Sequence, residues 1–259
     1  MVVKTNYKKI YMQIRTLGFM TIHYGLEYLK ESLMSIRDHV DGMVISYVHK
    51  PSHGYKTILD CPDKAEDIRK VCEETLGNKL IWDEASFYGA EWQHREVRYK
   101  YSQGFDLILT IDADEVFEPS EIEIALKYAY TNPERYYGIK GYLNFWRSFN
   151  YICLDGFRPI RIENLNNHNN LQNINCPLTI YHFSTAQSKA IMEYKYSCFG
   201  HASEIKADYL EKIFYKWTPE NNFGDLHPVS INLWNAVKYN KNNLPNFMHS
   251  HPNFNKLLI

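Results

Sequence analysis

The five residues Leu107 to Ile111 are all apolar or β-branched, and the run ends abruptly in Asp112-Ala113-Asp114-Glu115. An unbroken run of this kind reads as a strand buried on both faces, which belongs at the centre of a parallel sheet covered by helices. Such a strand ends in charge where it opens onto a crevice, and open α/β sheets bind ligands at the carboxyl ends of their strands. Hard divalent cations such as Mg²⁺ and Mn²⁺ prefer carboxylate oxygens, and Mg²⁺ commonly fills its remaining positions with water and substrate phosphate. The strand end therefore predicts a cation site holding a phosphorylated ligand. A bare Asp-x-Asp is otherwise an ordinary solvated turn; the buried strand ahead of it is what favours the site.

Around this strand the chain alternates between the two periods of regular structure. Ile10, Met12 and Ile14 alternate with polar residues, predicting strand one, closed by Leu17-Gly18. Leu26, Leu29, Leu33 and Ile36 then recur at helical spacing, Met43 to Val48 reads as strand two, and Pro51-Ser52-His53-Gly54 as its loop. A helix over 63–76, a strand at Lys79 to Trp82 and a helix over about 90–102 follow, with Gly104-Phe105-Asp106 turning into the acidic strand. Beyond it, Pro119-Ser120-Glu121-Ile122-Glu123 carries the capping-box spacing of a helix that Asn132-Pro133 ends. Tyr136 to Phe145 predicts strand, Arg158 to Ile162 an edge-like strand, and the Asn-rich stretch 164–175 a loop. This alternation predicts an α/β fold with a mainly parallel sheet and right-handed crossovers.

At 259 residues and 45% hydrophobic content the chain can build one sizeable core. We expect a single main domain over 1–216. Residues 217–259, with Pro219, Pro228, Pro245 and Pro252, should form a C-terminal extension packed on it. The formal net charge of −1 gives no basic run to attract nucleic acid or anionic lipid, so a nucleic-acid acceptor is not favoured. Met1-Val2-Val3-Lys4 opens no signal-peptide pattern, and no apolar stretch approaches the roughly 20 residues of a membrane span. The expectation is a soluble, cytoplasmic protein. Cys61, Cys72, Cys153, Cys176 and Cys198 are odd in number and form no Cys-x-x-Cys pair, which predicts free thiols rather than disulfides or structural zinc.

Other groups suited to the same site are scattered. Arg95, in the helix before the acidic strand, is positioned to reach a ligand phosphate or to brace an acidic residue. His182 lies in the β-rich Thr179-Ile180-Tyr181-His182-Phe183-Ser184, and Lys195 and His201 follow. Neutral imidazole ligates Mn²⁺ beside carboxylates, and an ammonium neutralises a diphosphate. Taken singly, such a His is ordinarily a hydrogen-bonded structural residue and such a Lys a solvated one.

The segment from about Ile10 to Glu118 resembles the GT-A glycosyltransferases, in particular the family 2-like branch with an Asp-x-Asp-Glu motif. The resemblance is carried by Gly25-Leu26-Glu27-Tyr28-Leu29-Lys30-Glu31-Ser32-Leu33, by Arg95, and by the block Gly104 to Glu115. It implies a Rossmann-like GT-A sheet and transfer of a sugar from a nucleotide-diphosphate sugar, a UDP-sugar by first choice, to a glycan or other hydroxyl acceptor. It also implies Mn²⁺ or Mg²⁺ as cofactor, with Asp112 near the ribose or metal and Asp114 on the metal that bridges the diphosphate. By the same resemblance His182 completes the metal site, and Arg95 and Lys195 join Asp112 in donor binding.

Two departures stand out. The loop Tyr47 to Gly54 lacks the aspartate that recognises the base in family 2 enzymes, so the nucleotide stays open. No Glu-Asp pair follows the metal motif, leaving Asp155, Glu163, Glu193 and Asp225 as candidate general bases. Asp155, in Cys153-Leu154-Asp155-Gly156-Phe157, is the first choice because its turn can face an acceptor, although Asp before Gly is commonly just a turn residue. Rival readings are a sugar-nucleotide nucleotidyltransferase, against which Leu17-Gly18-Phe19-Met20 offers no basic Gly-rich phosphate loop, and a non-catalytic glycan-binding protein.

Overall fold

The computed structural model describes residues 14–51, 57–154, 156–198 and 200–258. Its first half alternates strand and helix: β1 (Thr16–Ile22), α1 (Leu26–Ile36), β2 (Gly42–Val48), α2 (Ala65–Leu76), β3 (Leu80–Ala85), α3 (Glu91–Lys100) and β4 (Leu107–Thr110). β1 pairs in parallel with β2 and β4, and β3 joins β2 in parallel, giving the order β3-β2-β1-β4. Helices cover both faces of this centre. Leu17, Phe19, Val44 and Ile108 pack toward Val97 of α3, whereas Met20, Ile22, Met43 and Ile45 pack in a core with Leu29 and Leu33 of α1 and Ile68 and Cys72 of α2.

That two-sided burial corrects the expected position of strand one. The strand is Thr16–Ile22, and Leu17 and Gly18 lie inside it rather than closing it. Residues 10–13 of the alternating stretch, and 52–54 of the predicted loop, fall outside the described residues. Gly18 is required by a close approach: a Cβ there would collide with Met43 Sδ and come within 3.2 Å of Val40 Cγ1.

The second half adds β5 (Glu115–Phe117), α4 (Pro119–Thr131), β6 (Tyr136–Trp146), β7 (Tyr151–Cys153), β8 (Ile160–Asn164), β9 (Gln172–Thr185), α5 (Lys189–Cys198) and β10 (Ala236–Lys238). The helix-flanked, centrally parallel sheet thus continues as a mixed one. β8 is antiparallel to both β4 and β6 and lies between them, so it is interior, not the expected edge; Pro159 precedes the strand and removes no N–H from its ladder. β9 runs parallel to β6 and antiparallel to β5. It starts inside the stretch expected to be a loop, because Gln172 and Asn173 pair with Tyr136 and Tyr137 of β6. Helix α4 is capped by Glu118, whose carboxylate accepts from Ser120 N at 3.4 Å and Ser120 Oγ at 2.7 Å. Pro119 takes the first helical position, so Ser120 is already inside the helix and is not the capping residue.

Residues 217–258 pack against this body. β10 pairs antiparallel with β7, and Trp217, Leu226, Trp234 and Ala236 pack with Trp146, Cys153 and Met192. Leu244, Met248, Phe254 and Leu258 join a second cluster with Tyr28, Phe145 and Phe183. Between the clusters sits Arg147, 1% exposed and at a left-handed φ of 51°. Its guanidinium donates to the carbonyls of Leu258 at 2.9 Å, Phe214 at 2.8 Å and Trp217. All five cysteines are free thiols. Among the described residues no helix is long and apolar enough to cross a membrane.

Candidate active site

The end of β4 turns sharply. Ile111 N still donates to Phe19 O of β1 at 3.0 Å, and the chain then folds back so that Glu115 N donates to Asp112 O at 3.0 Å. Asp112 N in turn donates to Glu115 Oε2 at 3.1 Å. Helix α1 packs tightly against this turn: Ser32 Oγ donates to Asp112 O at 3.1 Å, and a Cβ on Gly25, at φ 128°, would lie 2.8 Å from Ala113 Cβ. β5 begins at Glu115, and its pairing with β9 sets Glu115 opposite His182, while Phe183 N donates to Asp114 O at 2.8 Å. Backbone pairing alone therefore brings His182 to the acidic turn.

Asp112 and Asp114 have different partners. Asp112 belongs with the buried Glu115 in a guanidinium-centred network: Arg161 Nη2 donates to Asp112 Oδ2 at 2.7 Å and to Glu115 Oε1 at 2.5 Å, and Nε to Glu115 Oε2 at 2.9 Å. Tyr142 OH donates to Glu115 Oε1 at 3.1 Å. Burial pushes the Glu115 carboxyl up to about 7, against the pull of Arg161. Arg95, salt-bridged to Glu91 at 2.7 Å, approaches Asp112 Oδ1 to 3.7 Å, and that carboxylate raises its pKa.

Asp114, 18% exposed, faces a second set of groups. Lys195 Nζ lies 3.3 Å from Asp114 Oδ2, and Gln187 Nε2 donates to the same oxygen at 3.0 Å. His182 Nε2 stands 3.7 Å from Oδ1. Its other nitrogen, Nδ1, donates to Asn144 Oδ1 at 2.7 Å, a contact set by the β6–β9 register, and Tyr142 stacks on the ring at 4.9 Å. Burial pushes His182 down to about 4, so the ring is neutral and Nε2 turns a lone pair toward the carboxylate. Burial opposes ionisation of Asp114 too, but the Lys195 ammonium holds its pKa below the ordinary value.

These groups fit a hard divalent cation. Two acceptors, Asp114 Oδ1 and His182 Nε2, confront each other too far apart to share a proton, and Gln187 Oε1 is buried with no hydrogen-bond partner among the described residues. A carboxylate oxygen, an imidazole nitrogen and an amide oxygen are suitable ligands for Mn²⁺ or Mg²⁺. Among the described residues no group of three or more His, Cys, Asp and Glu side chains is arranged to hold a metal ion, so further ligands have to come from water or substrate. Asp112, expected beside the ribose or metal, has its Oδ2 engaged by Arg161.

The turn opens into a cleft of about 190 Å³ at the carboxyl ends of β1, β2 and β4. Ile22 lines it from β1, His23 and Tyr24 from the segment just after it, Val48 from β2, Arg95 from α3, and Asp112 and Asp114 from the acidic turn. His23 Nδ1 donates to Val48 O at 2.8 Å, and its Nε2 accepts from Tyr194 OH of α5 at 2.6 Å. The start of α5 is fixed through Glu27 of α1. This carboxylate accepts from Ser188 N at 2.9 Å and from Asn253 Nδ2, and His251 Nε2 donates to the Glu27 carbonyl at 2.9 Å.

Other residues singled out from the sequence lie elsewhere. His201 pairs with Glu204 at 3.2 Å and does not line the cleft. Glu163 is buried and held by Arg98, Arg135 and Tyr99; Glu193 pairs with Lys189 at 3.7 Å, and Asp225 with Lys206 at 2.8 Å. Asp155 lies outside the described residues. Sequence reading missed Arg161, Tyr142, Asn144 and Gln187. Arg161 alone left a trace, as a charged residue flanked by Ile160 and Ile162 in a strand-like run.

No protein-family model matches the chain, and no curated protein matches it in sequence. Among solved structures the chain is similar to S. aureus TarS 1-349, at 16% identity and a TM-score of 0.37, covering 49% of this chain and 36% of that one. The complex of the same protein with UDP gives the same values. The complex with UDP-GlcNAc gives 17% identity and a TM-score of 0.36 over 49% of this chain and 34% of that one. The match thus spans about a third of the length of these structures.

Proposed function

We propose that the chain is a metal-dependent glycosyltransferase that moves a sugar from a nucleotide-diphosphate sugar, a UDP-sugar by first choice, to an acceptor hydroxyl. The observation that carries this reading is the confrontation of Asp114 Oδ1 with the lone pair of His182 Nε2 at 3.7 Å, beside the Lys195 ammonium, at the mouth of a parallel sheet. Asp114, His182 and Gln187 would hold Mn²⁺ or Mg²⁺, which when bound supplies Lewis-acid stabilisation of the charge building on the leaving diphosphate. Lys195 offers the same diphosphate an ammonium. Arg95, on the cleft wall, braces Asp112 and presents its remaining N–H groups to the donor, and Asp112 takes the ribose side of the donor site. With Glu163, Glu193 and Asp225 engaged away from the cleft, Asp155 is our candidate for the base that takes the acceptor proton.

A nucleotide-sugar hydrolysis panel, run with Mn²⁺ and with chelator, tests the reading. UDP-sugars are the first substrates to try. Wild type is expected to hydrolyse a donor only with the metal, and Asp114→Ala to lose that turnover while unfolding at a similar temperature. Unchanged turnover by metal-loaded Asp114→Ala removes the proposal, and glycan binding without nucleotide in calorimetry favours a binding module instead.

A further inference from the structure

Lys195 already neutralises the residue assigned to the metal. Its Nζ lies 3.3 Å from Asp114 Oδ2 and donates to Ser184 O at 3.1 Å and Ser184 Oγ at 2.9 Å, with only 13% of the side chain exposed. Gln187 occupies the same Oδ2, so the carboxylate presents one engaged oxygen and one open one. Its two contacts to Ser184 anchor the ammonium, and the helix that carries it is fixed as well. Helix α5 is pinned at its start by Ser188 N on Glu27 and by Tyr28 OH on Ala186 O, and Tyr194, next to Lys195, is tied to His23 at 2.6 Å. A cation drawn to Oδ1 and Nε2 therefore meets a fixed positive charge on the other side of the same carboxylate. In a partly buried site that repulsion is poorly screened.

A diphosphate resolves the conflict, because its oxygens can accept from the ammonium and ligate the cation together. We infer that Lys195 is a built-in counter-ion of Asp114 that makes divalent-cation binding conditional on the diphosphate of the donor. This rests on the donor-site reading above and adds an order to it: the protein takes up cation and nucleotide as a pair and holds the bare cation weakly. Lys195 thus guards Asp114 when the cleft is empty and serves the leaving group when it is full.

Calorimetric titration of Mn²⁺ alone, and of UDP in saturating Mn²⁺, into wild type, Lys195→Met and Lys195→Arg tests the inference. Lys195→Met is expected to bind Mn²⁺ alone about tenfold tighter than wild type, a ratio worth ~1.4 kcal/mol, and to bind UDP in Mn²⁺ about tenfold more weakly. Lys195→Arg, which keeps the charge, is expected to bind Mn²⁺ alone as weakly as wild type. Damage to the fold weakens both ligands together, so the opposite signs separate charge from packing. Mn²⁺ binding that is unchanged or weaker in Lys195→Met overturns the inference. Wild type that binds no UDP at any Mn²⁺ concentration sinks the donor reading itself, while the comparison in Mn²⁺ alone still decides whether Lys195 is the counter-ion.

Discussion

Arg161 Nη2 donates to Asp112 Oδ2 at 2.7 Å across a separation of 49 positions in the chain. The same guanidinium forks onto Glu115, which has no exposed surface, so one side chain from β8 fixes two of the three carboxylates of the turn after β4. This geometry makes the shape of the acidic turn depend on a residue outside the motif.

Removing one partner of a buried ion pair costs about 3–5 kcal/mol, because the other charge is stranded. Arg161→Met is expected to lose stability on that scale in urea unfolding. The loss should be greater at pH 8 than at pH 5: burial already raises the Glu115 pKa, and without the guanidinium protonation is the carboxyl's main relief. Equal losses at the two pH values would show that Glu115 is not stranded as an anion.

His23 gives the stability a pH dependence of its own. Burial lowers its pKa from the ordinary 6.5, with the Val48 carbonyl opposing, so the folded protein holds it neutral. As pH falls the unfolded chain takes up this proton first. The stabilisation is therefore complete above the ordinary His value and is lost as pH falls through the lower folded one. Urea unfolding of His23→Gln between pH 7 and 5 should show a shallower slope than wild type, and an identical slope rejects this account.

Arg147 donates to three carbonyls, those of Phe214 and Trp217 in one segment and that of Leu258 in another. Each buried carbonyl left unsatisfied costs about 1–3 kcal/mol. Arg147→Met is expected to destabilise the protein by about 3 kcal/mol or more and to speed proteolysis within 217–258. Arg147→Lys should not restore it, because a single ammonium does not reproduce the guanidinium fork. Wild-type proteolysis rates in Arg147→Met would refute the clasp.

Gly18→Ala drives a methyl group into Met43, an overpacking cost of about 1–3 kcal/mol. Met43→Ala opens the space, so the double variant should be more stable than the sum of the two single losses predicts. Simple additivity in a double-mutant cycle would mean that the two residues do not press on each other.

The elements around the cleft were legible where helical period or an unbroken apolar run marked them: α1, β2, α2, α3 and β4 all lie within a few residues of their expected positions. Strand one was misplaced because alternation is the signature of a half-buried strand, whereas β1 is covered on both faces and reads as Leu17-Gly18-Phe19-Met20. β8 reads as an edge because Pro159 cannot donate to a ladder, but Pro159 precedes the strand and Arg161 turns inward to two carboxylates. The acidic turn itself could be found by its chemistry. Of its partners, Arg95, His182 and Lys195 stand out in the sequence one by one, whereas Arg161, Asn144 and Gln187 do not: 81 positions separate Asp114 from Lys195, and only the pairing of β9 with β5 and β6 brings His182 and Asn144 together beside the turn.

Glu27 carries one more consequence, for a chain emerging from the ribosome. It is held by His251 and Asn253, which lie 224 and 226 positions later. At about 5–20 residues per second, roughly 10–45 s of translation separate the two ends of that clasp. A nascent chain that has already extruded the acidic turn, His182 and Lys195 still lacks the groups that steady Glu27, and through it the start of α5. The cleft therefore ripens only after residues 251–253 have cleared the exit tunnel, and its maturation is timed by those late residues rather than by the segment that carries its charges.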